Sequence, residues 1–219
     1  MLSNKSLQNK IEESVNIIET ALKKYGENKL AISFNGGKDS TVLMEIINWI
    51  ANKKIKTKVN LDPDQLIVFN TKNKDDFEEI KDFIKKSLFR YNIKTYQEYN
   101  TNLKTGLKTM LEKNKTVEAI FAGMRKTDKP GINGSDYFLP SDPGWPKVIR
   151  VSPILNWEYK DVWDFLLENN VPFCKLYSYG YTSIGSKNNT QKNPFLKVNN
   201  YYRPAWELSD PSKERAGRK

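Results

Sequence analysis

Apolar residues recur three and four positions apart along the first segment, at Leu7, Ile11, Val15, Ile18 and Leu22, which predicts an amphipathic helix ended by Gly26. A short continuous apolar run, Leu30 to Phe34, predicts a buried strand. Residues 40–52 return to helical spacing through Val42, Leu43, Ile46, Ile47 and Ile50, a face wide enough to be covered by other elements. Leu66 to Phe69 (LIVF) predicts another strand, and the run DDFEEIKDFIKKSLFRY from Asp75 another helix. The alternation continues with a weaker strand near Ile93 to Tyr99, a helix near Leu103 to Leu111, and a strand at Glu118 to Ala122. A strand near Val148 to Val151 and a helix over Asp161 to Glu168, with Val162, Phe165 and Leu166 on one side, complete the regular pattern.

Strands that are continuously apolar rather than alternating, and that take turns with helices, predict an α/β fold: a mostly parallel, twisted, Rossmann-like sheet with helices on both faces. Ligands of such sheets bind at the carboxyl ends of the strands, near the point where strand order reverses. Two segments break the pattern. Gly123 to Pro146, GMRKTDKPGINGSDYFLPSDPGWP, is too long and too rich in Gly, Pro, Asp and Ser for a plain connector and reads as a functional loop. Residues 171–219 hold aromatic and turn-forming residues without periodicity, which predicts an irregular C-terminal cap over the active edge of the sheet. One domain is expected over residues 1–219: an N-terminal helix (1–26), an α/β core (29–170) and the C-terminal cap (171–219).

Composition narrows the chemistry. The 219 residues contain no histidine and one cysteine, Cys174, so a Cys/His zinc site, a histidine triad and an internal disulfide are all excluded. Any general base must be Asp, Glu, Lys, Tyr or the substrate itself, which favours a nucleophile that arrives already ionised. The net charge of +10 suits nucleic acid, nucleotides or phosphorylated metabolites without choosing among them, and part of it fits a plain solvated surface. No run approaches the roughly 20 apolar residues of a membrane span, and the amino terminus lacks a signal-peptide core and any arginine in its first 20 residues. A soluble, cytoplasmic monomer with no membrane partner is the expectation.

The strongest local signal is Asn35-Gly36-Gly37-Lys38-Asp39-Ser40, placed where a strand must turn into a helix. Two glycines permit positive φ and close approach of phosphate oxygens to backbone N–H groups, and the helix start expected at Ser40 or Thr41 adds its dipole. Lys38 supplies a mobile charge. The spacing is neither a Walker A loop nor a GxGxxG dinucleotide fingerprint, and a simple tight turn with Ser40 as an N-cap is the bland alternative.

SFNGGKDST resembles the PP-loop, SGGxDS, of the ATP pyrophosphatases, which cleave ATP between its α and β phosphates and whose sheet is similar to that of PAPS reductase. Three further segments, GMRKTDKPG (123–131), SDPGWPKVIRVSPILNWEYKDVWDFLLENNVPFCKLYSYGYTSIG (141–185) and RPAWELSDPSKERAGR (203–218), together resemble the eukaryotic-type FAD synthetases, or FMN adenylyltransferases. The resemblance runs from Lys29 onward. It implies the reaction of ATP with FMN to give FAD and pyrophosphate, with Mg2+. It implies a catalytic centre at Asn35, Asp39, Asp128 and Arg215, with Asp39 and Asp128 holding the metal directly or through water. It implies nucleotide contacts from Ser33, Phe34, Gly36, Gly37, Lys38, Ser40, Gly123, Arg125 and Arg218, adenine contacts near Phe69 and Asn70, and flavin contacts from Asp142 and Trp145. Tyr181, with Tyr177 and Tyr179, is expected to wall the flavin cleft, whereas Trp157, Trp163 and Cys174 are expected to pack. Lys129 stands between Asp128 and Pro130, where relatives often have aspartate directly before proline.

The residues agree with that chemistry. A phosphomonoester has a second pKa near ~6, so FMN is mostly a dianion at pH 7 and needs no protein base. Its attack on the α-phosphorus, in line with departing pyrophosphate, asks the protein mainly for positioning and charge stabilisation. Arg125, Arg215 and Arg218 offer planar forks for phosphate oxygens, although a basic tail is also what a solvated terminus looks like. Two enzyme alternatives fit less well: the tail has neither the Cys nor the His of a PAPS reductase, and the paired cysteines of tRNA-thiolating enzymes are missing. A basic RNA-binding protein would account for the charge and the aromatics but not for NGGKDST or GMRKTD, so no nucleic-acid partner is expected.

Overall fold

The computed structural model describes residues 5–128 and 135–219. The Lys129 to Pro130 departure therefore lies outside the described residues, as does part of the segment 123–131. Thirteen regular elements follow one another in these bounds: α1 (Lys5–Tyr25), β1 (Leu30–Ser33), α2 (Lys38–Ala51), β2 (Ile67–Thr71), α3 (Glu78–Arg90), β3 (Tyr96–Tyr99), α4 (Leu103–Lys113), β4 (Ala119–Ala122), β5 (Phe138–Pro140), β6 (Ile149–Val151), α5 (Tyr159–Glu168) and the hairpin β7 (Lys197–Val198) with β8 (Tyr201–Tyr202). Short 3-10 turns join them in the C-terminal region.

Six strands form one sheet in the order β3-β2-β1-β4-β6-β5. All neighbours are parallel except β5, which runs antiparallel to β6. The chain moves outward from β1 through β2 to β3 and then returns to the other side of β1 with β4. The switch point therefore lies between the carboxyl ends of β1 and β4, at Ser33 and Ala122.

Alternate residues of the central strands go to opposite faces, as the two-residue period requires. Leu30 and Ile32 of β1, with Ala119 and Phe121 of β4, join a large core that includes side chains of α1, α2, α3 and α5. Ala31 and Ile120 point to a smaller core closed by Leu107 and Met110 of α4. Both faces are covered, which explains why these strands read as continuous apolar runs. The large core also contains Tyr177, Leu196, Ala205 and Leu208, so the C-terminal region packs into the same interior as the N-terminal helix.

Two expectations need correction. The strand β5 lies inside the segment expected to be an irregular loop. Its three residues are too few to show a period, and Pro140 is tolerated because β5 is an edge strand. Helix α2 begins at Lys38 with Gly37 as its N-cap, two residues before the expected start. The cause is tertiary: the Lys38 N–H donates to the hydroxyl of Tyr177, 2.9 Å away and 139 residues on, which completes a turn that no local signal encodes.

Candidate active site

The anion loop is built from its own side chains. Asn35 Oδ1 accepts from the Gly37 N–H (2.9 Å) and from Ser40 Oγ (2.8 Å), folding the loop back on the first turn of α2. Gly36 takes φ +72°, and a Cβ there would meet Ile84 Cγ1 at 2.8 Å, so the turn admits only glycine. Across the switch point, a Cβ on Gly123 would meet the backbone N of Ser40 at 2.7 Å and the carbonyl carbon of Asp39 at 2.8 Å. The end of β4 thus touches the start of α2 backbone to backbone, and this contact delivers Arg125 and Asp128 to Asp39.

Five charged side chains converge there. Lys38 Nζ lies 3.0 Å from Asp39 Oδ2 and 2.5 Å from Glu214 Oε1. Arg125 Nη2 donates to both Glu214 oxygens, at 2.7 and 2.8 Å. Its Nε lies 2.8 Å from Asp39 Oδ1, but the pair is misaligned for a hydrogen bond, and each of these two buried atoms is left without one. Arg125 Nη1 is a third buried atom with no hydrogen-bond partner. Asp128 Oδ2 accepts from the Arg125 N–H at 2.9 Å.

Lys38 is 3% exposed and Arg125 1%, so these charges exist only because they are paired. Burial alone would push the Lys38 ammonium down, but the Asp39 and Glu214 carboxylates outweigh it and hold it well above its ordinary value. Burial likewise opposes ionisation of Asp39, and Lys38 with Arg125 reverses that and holds its carboxyl low. Asp128 is different: burial, reinforced by the Asp39 charge, raises it despite the opposing Arg125 guanidinium. Two adjacent carboxyls are thereby pushed in opposite directions. The expectation that Lys38 is a mobile charge is corrected, since it is locked in a buried cluster with two carboxylates.

Two cavities flank the loop. One, of about 270 Å³, is lined by Ser33, Asn35, Gly37, Asn70, Asp76 and Arg218 among others. The second, of about 140 Å³, is mostly apolar, with Phe69, Leu107, Ile120, Asp142, Trp145 and Arg150 in its walls. They share Ser33 and Leu103 as lining residues. Asp142 faces Arg150, whose terminal nitrogens lie 3.3 Å from its carboxylate oxygens.

The structure thus brings together Ser33, Asn35, Gly36, Gly37, Lys38, Asp39, Ser40, Gly123, Arg125 and Asp128 around the loop. Asn70 and Arg218 join them in the polar cavity, and Phe69, Asp142 and Trp145 line the apolar one. Arg218 comes within reach by lying over Gly185, where a Cβ would meet Nη2 at 2.3 Å. Phe34 is fully buried and its N–H bonds the Phe69 carbonyl, so its side chain serves the core. Arg215 is exposed and lines neither cavity, although its charge, after burial itself, holds Arg218 below its ordinary value. Tyr181 packs edge-on against Phe77 at 5.5 Å, and Tyr179 is largely exposed. Tyr177 is buried among Trp163 and Phe173 and holds the Lys38 N–H, so it supports the loop and does not wall a flavin cleft. Trp157, Trp163 and Cys174 are packed as expected.

Two residues of the site escaped the sequence reading. Glu214 is the acidic residue of an otherwise basic tail, SKERAGRK, and that sign reversal was the available signal. Arg150 lies in a strand, VIRV, where it interrupts an apolar run.

Known proteins resemble this chain in sequence and fold. A family model described as phosphoadenosine phosphosulfate reductase domain matches residues 88–192. Over 213 residues the chain is 37% identical to the probable FAD synthase of Schizosaccharomyces pombe, an alignment covering 97% of this chain and 80% of that protein. The chain belongs to the FAD synthase family. The probable FAD synthase of Caenorhabditis elegans, another member, is 36% identical over 95% of this chain, which spans 40% of that protein's length. Among solved structures, Candida glabrata FMN adenylyltransferase in complex with FMN and the ATP analog AMPCPP superposes with a TM-score of 0.84 at 25% identity, covering 100% of this chain and 93% of that one. Candida auris PAPS reductase, at 16% identity and a TM-score of 0.64, shares the fold. The family and the mostly parallel PP-loop fold agree with what the loop and the later segments implied.

Proposed function

We propose that this FAD synthase family member transfers the adenylyl group of ATP to FMN, giving FAD and pyrophosphate. The observation that carries the reading is the meeting of a polar and an apolar cavity at Ser33, beside a glycine loop whose buried cations face the sheet's switch point. The polar cavity takes the nucleotide, and the apolar one, with Trp145 at its wall and Asp142 and Arg150 as its polar groups, takes part of the flavin. Its relatives named as FAD synthases and the complexes of the Candida glabrata enzyme with FMN and AMPCPP support the same assignment.

In this mechanism the dipole at the start of α2 favours the charge of the β and γ phosphates, while the Gly37 and Lys38 N–H groups are spent on Asn35 and Tyr177 and fix the loop's shape. The unpartnered donors Arg125 Nη1 and Arg218 Nε are suited to phosphate oxygens, where each replaces a missing hydrogen bond with a charge-assisted one. FMN, ionised before it arrives, approaches the α-phosphorus from the apolar cavity. Asp39 and Asp128 are the adjacent carboxyls that would hold Mg2+, with Asp39 exchanging its 2.8 Å ion pair with Arg125 Nε for the ion, and magnesium takes one or two carboxylates plus substrate phosphates. Held by these carboxyls, magnesium would supply charge neutralisation to the leaving pyrophosphate. Asn35 orders the loop through its side-chain oxygen, and Arg215 reaches the phosphates only through a rotamer change from its exposed position.

We assign the activity to a cytoplasmic monomer with no nucleic-acid partner. Among the described residues no helix is long and apolar enough to cross a membrane. The test is direct. Purified protein incubated with ATP, Mg2+ and FMN is expected to yield FAD by chromatography, and riboflavin in place of FMN is expected to yield none. Absence of FAD from both incubations would remove the proposed function.

A further inference from the structure

Glu214 is the one member of the charged cluster that neither the anion loop nor the β4 loop supplies. It comes from the chain's last six residues, and only 11% of its side chain is exposed. Its carboxylate makes three close contacts with two cations on different elements: Lys38 at the start of α2, and the fork of Arg125 after β4. No other carboxylate among the described residues pairs with both through distances as short, since Asp39 reaches Arg125 only through the misaligned Nε.

The backbone of Glu214 is fixed as firmly as its side chain. Its carbonyl accepts from Thr182 Oγ1 at 2.6 Å, and Asn193 Nδ2 donates both to that hydroxyl (2.8 Å) and to the Lys213 carbonyl (2.8 Å). Downstream, the Gln191 N–H donates to the Gly217 carbonyl, and Thr190 forms a bridge with Arg218. The tail is thereby held along residues 189–193, and the Glu214 carboxylate is the point at which it grips the catalytic cations. Arg218 follows four residues later in the wall of the polar cavity.

From this geometry we infer that Glu214 is a positioning residue for adenylyl transfer. Its carboxylate sets the distance between the Lys38 ammonium and the Arg125 guanidinium, and ties the tail that carries Arg218 to them. The inference rests on the proposed FMN adenylyltransferase reaction. The charge count gives it a distinctive consequence. Lys38 and Arg125 face three carboxyls, Asp39, Asp128 and Glu214, so removing the Glu214 charge makes the cluster one unit more positive beside the phosphates. Ground-state attraction for ATP is then kept or strengthened, while the cations lose the clamp that aims them at the transition state. Loss confined to the transition state lowers kcat without raising KM. A residue that merely tethered the tail would act by releasing Arg218 from the polar cavity, and its loss would raise KM for ATP and speed cleavage of the tail.

The experiment compares wild type with Glu214→Gln and Glu214→Asp. Steady-state FAD formation is measured at a temperature where melting curves show each protein folded, together with AMPCPP binding by calorimetry and tail cleavage by trypsin. Wild-type FAD formation is read first, and its absence would sink the parent reading independently of this one. The proposal expects Glu214→Gln to lose roughly 100-fold or more in kcat, the scale of losing one preorganised charge-stabilising contact. It expects no rise in KM for ATP, AMPCPP binding no weaker than wild type, and cleavage after Arg215 no faster than wild type, because the tail keeps its backbone anchors along residues 189–193. Glu214→Asp, which keeps the charge, is expected to recover part of kcat. Folded Glu214→Gln with kcat within about twofold of wild type overturns the inference. So does a loss carried by a raised KM for ATP, or one that Glu214→Asp fails to relieve.

Discussion

Asp39 lies between two buried cations, and its depressed carboxyl links the site to stability. A carboxylate held low in the folded state stabilises the protein above its ordinary value of 3.8, and that contribution is lost as pH falls through and below it. Asp39→Asn is therefore expected to flatten the acid side of a stability profile measured by circular dichroism below about pH 4. FAD formation by the same variant is expected to fall by at least about 100-fold; near-normal turnover would take Asp39 out of the site. Cys174 gives a second prediction at this scale. Burial pushes its thiol up to about 11 from 9.0, which leaves ~100-fold less thiolate at pH 8 than an unperturbed thiol has. Alkylation by iodoacetamide at pH 8 is expected to be slow in the folded protein and fast in urea, and rapid labelling without unfolding would contradict the packing described. At this scale the sequence was legible where a residue type allows only one use. Gly36, with its positive φ, could be found from the loop alone, and Asp39 from the loop's resemblance to the PP-loop. Glu214 could not, because its partners are 89 and 176 positions away and only the folded chain brings them together.

The contact between β4 and α2 is the element-scale counterpart. Gly123 has no room for a methyl group against the backbone of Asp39 and Ser40, and backbone cannot yield as a flexible side chain can. Gly123→Ala is expected to cost about 1–3 kcal/mol, the usual range for overpacking, and to depress FAD formation by moving Arg125 and Asp128 away from Asp39. Thermal melts and rates measured together check this; unchanged values in both would show that the two elements do not need to touch. Helices and strands of the core were legible because burial on both faces imposes strong periods. Their bounds shifted by a few residues where tertiary contacts decide them, as when Tyr177 extends α2 back to Lys38. The strand β5 and the hairpin of β7 with β8 were not legible, because two or three residues cannot display a period.

At the scale of the whole molecule, the sheet supplies the switch point, the loops after β1 and β4 supply the charges, and the C-terminal region closes the site from outside. That region looked irregular because its order comes from packing onto the core and from side chains such as Asn193, not from repeating hydrogen bonds. Its division of labour follows the chain order: the nucleotide cradle lies near the start of the sequence, and the tail bearing Glu214 and Arg218 completes it from the other end. The central claim is that ATP is cut between its α and β phosphates while FMN accepts the adenylyl group. The most direct measurement follows ATP labelled at the α or the γ phosphate through one incubation with FMN and Mg2+. The α label is expected in FAD and the γ label in pyrophosphate. Release of the γ label as orthophosphate, or an α label that never enters a flavin product, would contradict the account.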